Sequence, residues 1–212
     1  SDWNTPNITL NHGDIDANYF QHQPFLDNAL KETDFKLKAL GIGSGTHVGL
    51  YSKKYKSIND VTDGARVVIP NDPVNQGRAL LLLQQSKLIT LKDANNHLSN
   101  LQDIASNPKN LKFIEVEGPQ TARAVDEADL VFSYPMYLRL AKTIDPNAAL
   151  VLDQINNTRY AILFVVRDDY EQTHPEKAEN LKKFIQIYQN SEKVKQELNT
   201  DIGEKLWFKG WK

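Results

Sequence analysis

Apolar and polar positions follow two periods along this chain. Residues 36–52, KLKALGIGSGTHVGLYS, alternate apolar with polar and carry several glycines, which predicts a bent or bulged strand of a half-buried sheet. After a short helical turn near Ser57 to Val61, the run RVVIP predicts a strand ending at Pro70, followed by a turn over residues 71–73. NQGRALLLLQQSKLI then takes the helical period, with a broad apolar stripe from Ala79 to Leu88. The same alternation recurs downstream. LKFIEVEG (111–118) reads as a strand, TARAVDEA (121–128) as a helix, DLVFSY (129–134) as a strand and MYLRLAKTI as a helix. LVLDQ is a short strand, and the unbroken apolar content of YAILFVVRDD (160–169) predicts a central one. The tail, HPEKAENLKKFIQIYQNSEKVKQEL, predicts one or two surface helices interrupted near Asn190 and Ser191.

Strands alternating with helices of this length predict an α/β fold, a mostly parallel sheet with helices on both faces. Two polar stretches, 51–57 and 153–159, suit crossings between lobes. One crossing out and one back would leave residues 58–156 as an inserted second lobe and unite 1–57 with 157–212 as the first. No repeat or low-complexity segment interrupts this organisation.

Composition narrows the function. A chain of 212 residues buries roughly 70% of its unfolded-state surface, ample for a core. The 25 Lys and Arg against 27 Asp and Glu, a formal net charge of -2, argue against a general nucleic-acid grip. The chain has no cysteine, so it holds no disulfide, thiolate nucleophile or Cys-ligated zinc. No apolar run approaches the roughly 20 residues that span a bilayer as a helix.

Candidate chemistry lies in two places. GDIDANYFQHQPFLDNAL (13–30) sets Tyr19, Phe20, His22 and Phe25 among acids and amides, and these rings suit a core, a metal or catalytic site, or the wall of a ligand pocket. The five histidines, at 12, 22, 47, 97 and 174, show no H-x-x-H or H-E-x-x-H spacing, so a metal site is not expected. Ser44 in GIGSGTH has no nucleophile-elbow motif around it, and no enzymatic activity is expected. NDPVNQGR (71–78) resembles an anion-binding helix start but has neither the glycine spacing nor the lysine of a P-loop. Arg78 within it suits either a structural salt bridge or the bidentate grip of a ligand carboxylate.

The segments GDIDANYFQHQPFL, GLYSKKYKS, IPNDPVNQGRALLLL, NPKNLKFIEVE, YAILFVVR and LWFKGW together resemble the NlpA lipoprotein family, the methionine-binding receptors of bacterial methionine ABC transporters, over almost the whole chain. The resemblance implies a two-lobed periplasmic-binding-protein architecture and an extracytoplasmic substrate-binding role without catalysis or cofactor. It implies an amino-acid ligand, an ABC permease as partner, and a lipid anchor on the full-length precursor at the outer face of the cytoplasmic membrane. The chain aligns beyond the family's first strand-helix-strand portion, so the first lobe is expected to lack its N-terminal strands and to offer an edge for dimerisation. By the same resemblance Trp3, Phe20, His22 and Phe25 line the ligand, and Arg78 clasps its carboxylate. Met136 and Ile162 stand where the family has ligand-facing asparagines, which would leave the ligand's ammonium short of partners. A diverged binding or structural lipoprotein that has lost methionine transport is the alternative.

Overall fold

The computed structural model describes residues 2–154 and 158–212. Helix α1 (Thr5–His12) is closed by Gly13, whose φ of 84° lets its N–H reach back to the last carbonyls. It leads to β1 (Asn18–His22), α2 (Gln23–Glu32), β2 (Leu37–Thr46) and β3 (Gly49–Tyr51). The run RVVIP is β4 (Arg66–Pro70), and α3 (Pro73–Gln85) follows it. A small antiparallel ribbon, β5 (Thr90–Leu91) with β6 (Ile104–Ser106), precedes β7 (Lys112–Val116), β8 (Leu130–Ser133), α4 (Pro135–Ala141) and β9 (Val151–Leu152). The chain ends with β10 (Ala161–Arg167), α5 (Tyr170–Thr173), α6 (Pro175–Asn190), α7 (Glu192–Leu198) and β11 (Trp207–Lys209). The predicted interruption near Ser191 has a local cause: the Ser191 hydroxyl accepts the Val194 N–H and starts α7 as a new helix. Residues 121–128, predicted as a helix, instead hold only a short 3-10 turn, Arg123–Asp126, which follows another at Gly118–Gln120.

The chain divides into two compact units, Ser1–Thr46 with Asn156–Lys212, and His47–Ile155. The return boundary expected at 153–159 falls partly on residues 155–157, outside the described residues. The bent or bulged strand region expected over 36–52 is two strands: β2, whose pairing with β10 shifts register twice, belongs to the sheet of unit 1, while β3 pairs with β8 and β9 in unit 2.

The expectation of mostly parallel sheets is overturned. In unit 1 the strand order is β1-β10-β2-β11, and every pairing is antiparallel. In unit 2 the order is β7-β4-β8-β3-β9, where only the two pairings of β4 are parallel. The physical reason is connectivity. β1 and β2 are joined through α2 and run the same way, as a strand-helix-strand unit should, but β10 from the far end of the chain inserts between them in the opposite sense. Alternation along a sequence predicts direction only for strands that are neighbours in space.

In unit 1 the sheet is covered on both faces. Leu10 of α1 and Leu26 of α2 pack with Leu37, Leu163 and Val165 on one face, and Tyr170 and Ala178 of α5 and α6 pack with Val166 on the other. Burying each of these leucines contributes roughly 1.5–3 kcal/mol. Gly43 of β2 lies beneath Tyr19, where a Cβ would meet the Tyr19 hydroxyl oxygen at 2.2 Å. In unit 2, Val68 and Val131 of the adjacent β4 and β8 pack with Tyr51, Val125 and Leu138. Strand β4 is buried over Val67, Val68 and Ile69, as that unbroken apolar run after the exposed Arg66 requires.

Candidate functional site

In unit 1 the aromatic residues converge on Phe25. His22 ends β1 and caps α2, its Nδ1 accepting the Phe25 N–H at 3.2 Å, which places the proton of a neutral ring on Nε2. Phe25 then stands edge-on to Trp3 at 6.0 Å, to Phe20 at 5.8 Å and to His22 at 6.3 Å between ring centroids. Ile162 lies across the ladder from His22. Five of the seven residues singled out from the sequence are therefore neighbours on β1, α2 and β10 or at the start of the chain. His22 is buried, while Trp3, Phe20 and Phe25 keep part of their surface in water. Tyr160, buried and edge-on to His22 at 5.2 Å, belongs to the same cluster and was not singled out beforehand. Tyr19 stands apart from it: the ring stacks on Phe164 at 4.3 Å, and its hydroxyl joins those of Ser44 and Tyr188. Burial first, then the Tyr188 hydroxyl, pushes the Tyr19 phenol well above its usual range.

Unit 2 holds Arg78 and Met136. The loop that resembles an anion site is closed by the chain itself, because the Asp72 carboxylate accepts the Asn75 N–H at 2.9 Å and caps α3. Burial raises the Asp72 pKa, and the hydrogen bonds from Asn75 offset part of that shift. Pro73 follows in the first turn, where its missing N–H costs nothing. One turn further, Gly77 lets the His97 carbonyl come close; a Cβ there would lie 2.0 Å from that oxygen. Arg78 follows and is 4% exposed. Its Nε and Nη2 donate to Asp153 Oδ2 at 3.1 and 2.7 Å. Asp153, 3% exposed in its side chain, uses Oδ1 to accept the Val48 N–H at 3.2 Å and contacts His47 Nδ1 at 3.1 Å. The Asp153 carbonyl is a second acceptor beside that nitrogen, at 3.0 Å, so His47 carries its proton on Nδ1.

The pair Arg78–Asp153 was half legible: the arginine stood in a notable motif, while Asp153 lies 75 residues away in an ordinary polar stretch. Met136 is 49% exposed in the first turn of α4, directly after the buried Pro135. The Tyr134 phenol is pushed well above its usual range by burial, with Asp72 adding to the shift and Arg78 opposing it. Among the described residues no group of three or more His, Asp or Glu could hold a metal ion, and no helix is long and apolar enough to cross a membrane.

Comparison with known proteins gives this arrangement its context. The sequence matches the family described as NlpA lipoprotein over residues 1–210. It is 43% identical to the D-methionine-binding lipoprotein MetQ of Escherichia coli O157:H7 over 195 residues, which are 91% of this chain and 69% of that protein. A crystal structure of the methionine binding protein MetQ superposes with a TM-score of 0.89 at 39% identity, covering 100% of this chain and 84% of that one. The structure of a nutrient binding protein from Burkholderia cenocepacia bound to methionine has a TM-score of 0.86 at 35% identity, covering 97% of this chain and 84% of that one. A match of this extent and identity decides the matter: the chain belongs to the NlpA lipoprotein family.

Proposed function

We propose that the protein is the extracytoplasmic substrate-binding component of an ABC importer and that its ligand is methionine or a related amino acid. It binds and presents its ligand without covalent chemistry. The observation that carries the reading is Arg78: a guanidinium 4% exposed, fixed on a rigid helix, in a chain whose relatives include a D-methionine-binding lipoprotein and a protein solved with methionine. Such a fork suits the bidentate grip of an α-carboxylate. The rings of Trp3, Phe20 and Phe25 suit a thioether, which gains from sulfur–aromatic contact. His22 and Ile162 complete this wall in unit 1, and Met136 is assigned to the ligand's ammonium side in unit 2.

Calorimetric titration of L- and D-methionine into wild type and Arg78→Lys tests the reading. Lysine keeps a cation beside Asp153 but lacks the planar fork, so methionine affinity should fall at least about tenfold while folding persists. Unchanged affinity would remove Arg78 from the site.

A second reading has its own observation. Apolar Met136 and Ile162 occupy the positions assigned to ammonium-binding amides, which favours a diverged binding lipoprotein that no longer transports methionine. Transport of labelled methionine, supported by the protein in cells that carry the permease and ATPase, would exclude it. For partners, we assign the permease, a lipid-anchored precursor at the membrane surface, and self-association through β1. That strand is an edge of its sheet among the described residues and carries a partly exposed Tyr19. Light scattering that finds only monomer at all concentrations would reject the self-association.

A further inference from the structure

Strand β1 carries two amides, Asn18 and Gln21, three residues apart, where strict alternation would turn them to opposite faces. A bulge brings them together. Tyr19 lies across from Phe164 and His22 across from Ile162, so two residues of β1 stand against one of β10 between those pairs. Both amides then reach Asn7 of α1. Gln21 Nε2 donates to Asn7 Oδ1 at 2.7 Å, and Asn7 Nδ2 donates back to Gln21 Oε1 at 2.9 Å. Asn18 Nδ2 donates to the same Asn7 oxygen at 3.0 Å and to the Pro6 carbonyl at 3.1 Å, while Asn18 Oδ1 accepts from Gln21 Nε2 at 3.1 Å. Every amide oxygen and nitrogen of the three side chains has a partner, and Asn7 and Gln21 are only 3% and 2% exposed. A closed, buried amide ring of this kind permits one seating of α1 on β1, because a small slide would leave buried polar groups unpaired. The apolar anchor of α1, Leu10, has no such directionality.

The two elements that this clasp joins both carry rings. Before α1, the Asp2 carboxylate accepts the N–H groups of Asn4 and Thr5 at 2.8 and 2.7 Å, which ties Trp3, between them, to the first turn of the helix. On β1, Phe20 and His22 flank Gln21, and His22 in turn caps α2 and sets Phe25. Trp3 therefore moves with α1, whereas Phe20 and Phe25 move with β1 and α2. We infer, taking these rings as the wall for the ligand's side chain, that Asn7 with Gln21 and Asn18 is a positioning and specificity-determining group: it fixes the spacing of Trp3 from Phe20 and Phe25, and so the length of apolar side chain that the wall accepts. The rings alone cannot do this. They meet edge-on at 6.0 Å for Trp3 with Phe25 and 5.8 Å for Phe20 with Phe25, and such contacts tolerate a range of separations, whereas the hydrogen bonds of the clasp do not.

The test is a selectivity ratio. L-Methionine and L-ethionine, which is one methylene longer in its side chain, are titrated calorimetrically into wild type, into Asn7→Leu with Gln21→Met, and into Asn7→Gln with Gln21→Asn. A methylene in an apolar pocket is worth about 10-fold to 200-fold, and wild type should prefer methionine within that range. The apolar pair replaces both partners of the buried bond and so keeps the fold, but it removes the direction; its preference should shrink at least about fivefold. The exchanged pair keeps two facing amides and should hold most of the wild-type preference. If the apolar pair does not unfold cooperatively in urea, Asn7→Ser, which leaves room for a water to satisfy Gln21, is read in the same way. A ratio unmoved in the clasp variants, with both affinities unchanged or falling together while Phe25→Ala weakens methionine, would show a purely structural clasp and overturn this inference alone. Methionine binding indifferent to Phe25→Ala, or no binding of either amino acid by wild type, would overturn the reading of the wall and this inference with it.

Discussion

In unit 1 rings gather around Phe25, in unit 2 a charge pair is buried around Asp153, and the two are held by different physics. Around Phe25 each edge-on contact is worth about 0.5–1.5 kcal/mol beyond area burial, and the rings remain partly in water, so the cluster is a sum of small, replaceable terms. Around Asp153 the terms cannot be removed singly. Two opposite charges are buried together, and removing either takes a close counter-charge from the other in a poorly solvated place.

That contrast sets the scale of what mutations should do. Arg78→Met removes the buried counter-charge of Asp153 and should lower unfolding free energy by about 3–5 kcal/mol, read by urea denaturation. A loss below about 1 kcal/mol would show that Asp153 finds other compensation and erase the contrast. The apolar substitutions act on binding instead. Met136→Asn with Ile162→Asn should raise methionine affinity by about 5-fold to 150-fold for each restored partner, or roughly 1–3 kcal/mol, with little gain for a des-amino analogue that keeps the thioether and carboxylate but has no ammonium. Absence of a selective gain would mean that ordered water already satisfies the ammonium. Phe25→Ala should cost less than Arg78→Met, about 1–2 kcal/mol in urea denaturation, because its contacts are few and half exposed. A larger loss would make the ring cluster a core rather than a wall.

The smallest effect is an exposed one. Glu171 accepts from Lys182 at 2.7 Å and Lys38 at 2.5 Å, and these partners hold its carboxyl down to about 2. Its folded pKa lies below the unfolded value near 4.5, so its contribution is present above that value and fades as pH falls toward 2. Glu171→Gln should therefore narrow the difference between the melting temperatures at pH 6 and pH 3, and added salt should weaken the effect. An unchanged difference would show that other carboxylates dominate acid unfolding.

Much of this was legible in the sequence, and the failures share a cause. Strand β4 and helix α3 follow from local pattern, as does the break at Ser191. The ring cluster was legible because β1 and α2 are consecutive, so Phe20, His22 and Phe25 had to be near one another. What local pattern could not supply was pairing across distance. The insertion of β10 between β1 and β2 made the first sheet antiparallel. Asp153, which closes on Arg78 from 75 residues away, carried no motif at all. Residues 121–128 read as a helix because the segment is short and mixed in character, and tertiary packing around the buried Ala122 and Val125 settled it as a 3-10 turn.

The central claim is that Arg78 anchors the carboxylate of an amino-acid ligand in this protein. Calorimetry with L-methionine and L-methioninol, which keeps the side chain and amine but has no carboxylate, tests it most directly. The account predicts that methionine binds at least about tenfold more tightly than methioninol in wild type, since a charge-assisted hydrogen bond is worth about 1.5–3 kcal/mol, and that Arg78→Lys removes most of that difference. Equal affinity for the two ligands, or a preference that survives Arg78→Lys intact, would contradict it.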